Sequence, residues 1–198
     1  MEKGTHGYLD RKRKSLQIKA LVNLLVIIVL FVTGLLLTKT KSNYFTVVAV
    51  LMTIPLAYFI TGLASIGSFR SLCSEKMQDF SALTVGRDLK TVTAFDLILT
   101  VKEKQMYAGA VLFTSAEVVL YTEKVKKLYE FRENLSGTLK NTGYFSGVYL
   151  TDDWNEFLAR VKTDVEAERI IAVNDKAAYQ KQLEELEKQK ERLLIYSV

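Results

Sequence analysis

The chain of 198 residues leaves room for one modest soluble domain beside a membrane anchor. Its formal charge of +5 is unevenly held: residues 1–69 carry eight Lys and Arg against Glu2 and Asp10, whereas residues 70–198 carry nineteen against twenty Asp and Glu. The second part thus lacks the cation excess by which nucleic-acid-binding domains neutralise phosphates, and a single cysteine, Cys73, excludes an intrachain disulfide.

In chain order, a basic cytoplasmic leader (1–19) comes first. Arg11, Lys12, Arg13, Lys14 and Lys19 are placed to meet anionic lipid headgroups, at about 1 kcal/mol per cation near the surface. His6 lies in this leader with no second histidine in the chain, so it is not read as a metal ligand. Residues 20–37 (ALVNLLVIIVLFVTGLLL) are uncharged. At ~1.5 Å per residue the run reaches roughly 27 Å, close to the ~30 Å hydrocarbon core. No small-x-small cleavage site follows at Leu36-Leu37-Thr38-Lys39, so the run reads as a retained helix rather than a signal peptide. Residues 45–66 supply a second uncharged run, long enough to span with some tilt.

Only residues 38–44 separate the two runs, which predicts an antiparallel transmembrane hairpin (20–66). The leader cations, with Arg70 and Lys76 after the second run, outnumber Lys39 and Lys41 in the loop. That bias places both termini in the cytoplasm and the chain in the plasma membrane as a multi-pass protein. Ala49, Thr53, Ala57, Thr61 and Ser65 recur every four residues and form a stripe of small side chains, suited to packing against the first span or a second copy. Pro55 removes the backbone bond to the Leu51 carbonyl and predicts a kink. Neither span holds an ionisable residue, which argues against a transport pathway or proton relay.

Charges return from residue 72, where an α/β (α+β) cytoplasmic domain (72–163) with a four-stranded mixed sheet is expected. Cys73 is read as a small, partly buried residue. A helix is predicted over 74–87. Residues 94–101 alternate as a strand, with Phe95, Leu97, Leu99 and Val101 on one face and Asp96 and Thr100 on the other. A turn at 102–104 leads to an apolar strand over 106–114, where Gly109 permits a close approach. A third strand over 117–122 completes an antiparallel meander. Val125, Leu128, Phe131, Leu135 and Leu139 follow helical spacing, then 145–150 gives a fourth strand. Asp153 and Glu156 form a capping-box-like start for a helix carrying Trp154, Phe157, Leu158 and Val161. A C-terminal helical segment (164–198) carries Tyr179, Leu183, Leu186 and Leu193, a seam that fits a helix packed on its own domain as well as a short coiled coil.

No catalytic signature stands out. One His and one Cys exclude ordinary zinc sites and His-based triads, and there is neither a phosphate loop nor a Gly-x-Ser-x-Gly elbow. The expected order over 74–162 of helix, three strands, helix, strand and helix resembles the PD-(D/E)xK nuclease-like fold. Active members of that family place an acidic residue before a later Glu-x-Lys on the meander to hold a divalent metal, and the resemblance makes Asp96, Glu117, Glu123 and Lys124 the nuclease-like candidates here. The middle strand lacks an acid and the Glu-x-Lys spacing is broken at Glu123-Lys124, so the site reads as degenerate. In its basic leader, tight hairpin and Phe-Asp-Leu-Ile-Leu strand at 95–99, the whole chain is similar to uncharacterised two-span membrane proteins of anaerobic Gram-positive bacteria. The expectation is a non-enzymatic, membrane-anchored binding or scaffolding domain without cofactor. Its partners would be membrane lipids and a protein, including a second copy of itself, with no nucleic acid. The alternative is a membrane-bound hydrolase with a degenerate nuclease-like core.

Overall fold

The first helix begins well before the first apolar run. In the computed structural model, which describes residues 2–40, 43–67, 69–85, 91–102, 104–123, 127–141, 147–174 and 176–197, α1 runs Tyr8–Thr38. Its 31 residues reach about 47 Å, more than a hydrocarbon core needs, and the surplus carries the leader's cations. The second run is two helices, α2 (Tyr44–Leu51) and α3 (Thr53–Ile66), meeting at Met52. The interruption lies one turn before Pro55, where the missing N–H was expected to kink the span.

Residues Tyr8–Thr38 and Tyr44–Ile66 are both long and apolar enough to cross a membrane. Their large side chains face outward, Leu36 at 71% exposure and Ile54 at 68%, the reverse of a soluble protein's core helix.

The stripe of small residues does not form the seam between these helices. Of its members only Ala49 is buried; Thr53, Ala57 and Thr61 are exposed and Ser65 is half-buried. The Thr53, Thr61 and Ser65 hydroxyls donate to carbonyls of Val50, Tyr58 and Thr61, one turn back along the same span. The close approaches are at glycines instead. A Cβ on Gly34 would lie 2.6 Å from Phe45 Cβ and 2.7 Å from Asn43 Oδ1, and one on Gly62 would meet Leu16 Cδ1 at 3.3 Å. Asn43 organises the loop: its Oδ1 accepts from the Thr46 N–H at 3.0 Å, while its Nδ2 donates to Thr38 Oγ1 and the Thr40 carbonyl. At the other end Arg13 donates to the carbonyls of Gly67 and Phe69. These lie just beyond α3, where a helix leaves its last carbonyls without partners. Arg13 is therefore committed to closing the hairpin.

The remaining unit is discontinuous, comprising Met1–Tyr8 together with Arg70–Val198. The leader of 1–19 thus splits: its first eight residues belong to this unit, and the hairpin interrupts the unit's sequence. Helix α4 (Ser74–Thr84) precedes strands β1 (Val92–Val101), β2 (Lys104–Phe113) and β3 (Glu117–Tyr121). Helix α5 (Leu128–Asn141) then crosses to β4 (Gly147–Thr151), and α6 (Trp154–Asn174) and α7 (Lys176–Ile195) follow. The sheet order is β1-β2-β3-β4, antiparallel except for the parallel β3–β4 pair. The expected four-stranded mixed sheet and C-terminal helix are therefore present. Of the predicted positions, Val125, Phe145 and the end of the 74–87 helix lie outside the described residues.

From Met106 to Phe113 every residue of β2 is buried, so both faces of the sheet are covered. Phe80 of α4 meets Phe95 of β1 and Phe157 of α6 at 5.5 and 5.4 Å between ring centroids, and Trp154 stacks on Phe157 at 5.2 Å. The residues of the C-terminal seam, Tyr179, Leu183, Leu186 and Leu193, are buried in this same core. The seam serves the domain itself rather than a coiled coil. With no Gly or Pro to stop it, α6 continues through the 163/164 boundary drawn from sequence. Cys73 is exposed, not partly buried. It is the extended N-cap residue of α4, and the apolar side chain at this point in the chain is its neighbour Leu72, at 3% exposure.

As the first strand in the sheet order, β1 has an outer edge, and both chain ends cover it. Phe95 N–H donates to the Gly4 carbonyl at 2.9 Å and Thr100 N–H to the Tyr196 carbonyl at 3.0 Å. Lys3 Nζ joins the two ends through the Ser197 carbonyl at 2.8 Å. An edge so occupied cannot template pairing with another chain.

Candidate functional site

Strict alternation along β1 would expose Asp96. Instead it is 1% exposed, with its backbone left-handed at φ 53. Aspartate tolerates that region better than most residues, because its short polar side chain can bond locally. The flanking pairs Phe95↔Ala110 and Leu97↔Ala108 leave Asp96 facing Gly109 without a regular ladder pair. A Cβ on Gly109 would come within 3.2 Å of the Tyr107 ring and 3.1 Å of Leu72 Cδ1. Glycine thus makes room for Tyr107 and Leu72.

The Asp96 carboxylate accepts from three donors: Gly7 N–H at 2.6 Å, Leu72 N–H at 3.0 Å and the Tyr107 hydroxyl at 2.9 Å. Two of these donors flank the hairpin, one on each side of it in sequence. His6 Nε2, next to Gly7, is 2.8 Å from the Leu72 carbonyl, and its ring meets Phe95 edge to face. One buried carboxylate therefore gathers the chain entering the hairpin and the chain leaving it. To ligate a metal it would have to surrender these donors.

The other residues of the nuclease-like resemblance are spread apart. Glu117 opens β3 and pairs with Arg160 Nε at 2.5 Å, and the Arg160 guanidinium also lies 5.4 Å from the centre of the Tyr149 ring. Glu123 lies just past the far end of β3, roughly 20 Å from Glu117 at ~3.3 Å per residue. It pairs with Lys76 at 3.0 Å. Lys76 also donates to the Tyr121 hydroxyl at 2.6 Å and sits over the Tyr121 and Trp154 rings. Burial alone would lower the Lys76 pKa; the bonds to Tyr121 and Glu123 outweigh it and leave it raised. Lys124 lies outside the described residues. Among the described residues no three His, Cys, Asp or Glu come together in a way that could hold a metal ion.

A second polar network, not anticipated from sequence, lies beside Glu117. Glu168, 6% exposed, accepts from the Ser115 N–H, the Ser115 hydroxyl and Gln182 Nε2, each at 2.7 Å. Asp164 Oδ1 is 3.7 Å from Arg160 Nε, while its Oδ2 is buried without a hydrogen-bond partner. Burial and, next, the Glu117 charge raise the Asp164 pKa, and Arg160 offsets this only in part. A folded-state pKa above the unfolded value gives stability that is full below the unfolded pKa and lost as pH rises through the folded one. Asp164→Asn is therefore expected to match wild type at low pH and exceed its thermal midpoint at neutral pH. Equal midpoints throughout a pH series of melting curves would contradict this.

Of the headgroup candidates, Arg11, Lys14 and Lys19 are exposed and Lys12 is half-buried on α1, while Arg13 is taken by the Gly67 and Phe69 carbonyls just beyond α3. An open groove of about 520 Å³ beside the N-terminal segment is lined by mixed charges, among them Lys3, Glu187, Lys190 and Glu191. Asp96, Glu117 and Glu123 do not line it. No family model matches the chain, nor does any curated protein or solved structure.

Proposed function

We propose that this protein is a membrane-anchored cytoplasmic binding or scaffolding domain without enzymatic activity. It is held at the plasma membrane by its two-span hairpin, with both termini in the cytoplasm. The observation that carries this reading is the use made of its carboxylates: Asp96 holds the two flanks of the hairpin, Glu117 pairs with Arg160, and Glu123 pairs with Lys76. A tether also suits two spans without an ionisable residue.

Lipid headgroups are bound by Arg11, Lys12, Lys14 and Lys19. A second copy packs on the outward stripe of Thr53, Ala57 and Thr61, where small side chains let helices approach closely. A photo-crosslinking residue at Ala57 is expected to capture a second copy in native membranes. One at Ile170, exposed on α6, is expected to capture a cytoplasmic protein.

The second reading is a membrane-bound hydrolase with a nuclease-like core. It is favoured by the helix, three-strand, helix, strand order and by the parallel β3–β4 pair. Magnesium-dependent cleavage of DNA or RNA, abolished by Glu117→Gln, together with no adduct at Ala57 or Ile170, would replace the first reading with this one.

A further inference from the structure

Residues 2–7 form a strap with few degrees of freedom. Gly4 and Gly7 bend at φ 80 and φ 75, conformations that disfavour any other residue. Between these bends the strap gives its Gly4 carbonyl to Phe95, its His6 ring to the Leu72 carbonyl and its Gly7 N–H to Asp96. Tyr8 then opens α1 at once, so no slack separates the strap from the first span.

At the other end of the hairpin Leu72 reaches the same carboxylate six residues after α3 ends at Ile66. The Asp96 backbone is left-handed, a conformation that persists where its surroundings over-determine it. Here the surroundings are two segments that flank the hairpin in sequence.

We propose that the strap makes completion of the domain conditional on hairpin topology: the outer edge of β1 closes only when both ends of the hairpin emerge on the side of residues 70–198. This rests on the membrane-spanning reading given above. Were the first span inserted with its N-terminus on the far side, the strap could not reach back past a 31-residue helix that begins directly after it. Asp96 would then lose its 2.6 Å donor, Phe95 N–H its acceptor and Lys3 its carbonyl. The β1 edge around Phe95 would stand open, while Thr100 keeps its bond to Tyr196, and an unpaired strand edge is prone to aggregation. A misinserted chain is thereby marked by its own cytoplasmic domain.

The test uses the full chain in lipid nanodiscs, with amide hydrogen exchange read residue by residue. Deleting residues 2–7 is expected to speed exchange at Phe95 and Leu72 at least tenfold while Val111 and Leu112, in the middle of β2, keep their rates. A synthetic peptide of residues 1–8 should restore protection at Phe95. Gly7→Ala, a milder variant that strains φ 75, should speed Phe95 several-fold without loss of fold. Unchanged Phe95 exchange in both variants overturns the strap. In a second arm, Arg11, Lys12, Lys14 and Lys19 are changed to Glu to drive the N-terminus outward in cells. In a Cys73→Ser background, molecules with only the N-terminus outside, identified by outside labelling of Thr5→Cys while Tyr196→Cys in a parallel variant stays protected, should lose protease resistance in residues 70–198. Equal resistance in both orientations overturns the topology check. Release of the wild-type chain from membranes by alkaline carbonate would instead defeat the membrane reading, and the topology check with it, while the exchange data still judge the strap by themselves.

Discussion

Asp96→Ala is expected to destabilise the discontinuous domain by about 3–5 kcal/mol, the largest effect of any single substitution considered. Three donors lose their acceptor at once, each at about 1–3 kcal/mol when buried and unsatisfied, with part of the loss recovered by relaxation. Alanine also fits φ 53 less well than aspartate. Asp96→Asn keeps the left-handed tolerance and one acceptor oxygen, so it should cost less, about 1–2 kcal/mol. Asp96→Gly relieves the backbone but loses every bond and should fall near alanine. Trp154 is the only tryptophan and stacks in the core, so its fluorescence reports unfolding of the domain directly. A neutral Asp96→Ala would mean that the carboxylate does not hold the two flanks together.

Gly34→Ala should cost the hairpin about 2–3 kcal/mol, near the top of the range for overpacking a tight contact. The added methyl meets Phe45 Cβ at 2.6 Å, an atom fixed to the backbone, and Asn43 Oδ1 at 2.7 Å, the oxygen that caps α2. Relief therefore requires moving the loop or giving up the cap. Gly62→Ala is the control, since its nearest neighbour is the mobile end of Leu16 at 3.3 Å. It should cost less than about 1 kcal/mol. Thermal inactivation of the two variants in the same detergent separates them; equal midpoints would move the critical contact away from Gly34.

Much of the element order could be read from the sequence because periodicity reports local burial. The uncharged runs, the meander and the helices of the domain all appear close to where their side-chain patterns put them. Asp96 shows where that reasoning stops. Alternation assigns it to an open face because alternation assumes regular backbone, and a left-handed residue breaks the assumption. Gly109 did signal a close approach, but which groups approach it depends on residues 72 and 107 meeting across the sheet. The small-residue stripe ran the other way: its spacing was real, yet the two apolar helices meet at Gly34 and Gly62, residues set apart by no periodicity. Arg13 looked like one cation among several, and only the fold shows it beside the Gly67 and Phe69 carbonyls beyond α3. The strap was the least legible of all, since a polar leader of eight residues carries no pattern that foretells its pairing with a strand ninety residues on.

Both hairpin flanks meet at Asp96, and in a membrane-inserted chain this requires residues on either side of the hairpin to share one side of the membrane. Single cysteines at Thr5, Thr40 and Tyr196, in a Cys73→Ser background, test this in intact cells with a membrane-impermeant thiol reagent. Position 40 should label from outside, whereas positions 5 and 196 should label only after the membrane is opened. Labelling of position 5 or position 196 from outside, with the other protected, would contradict it.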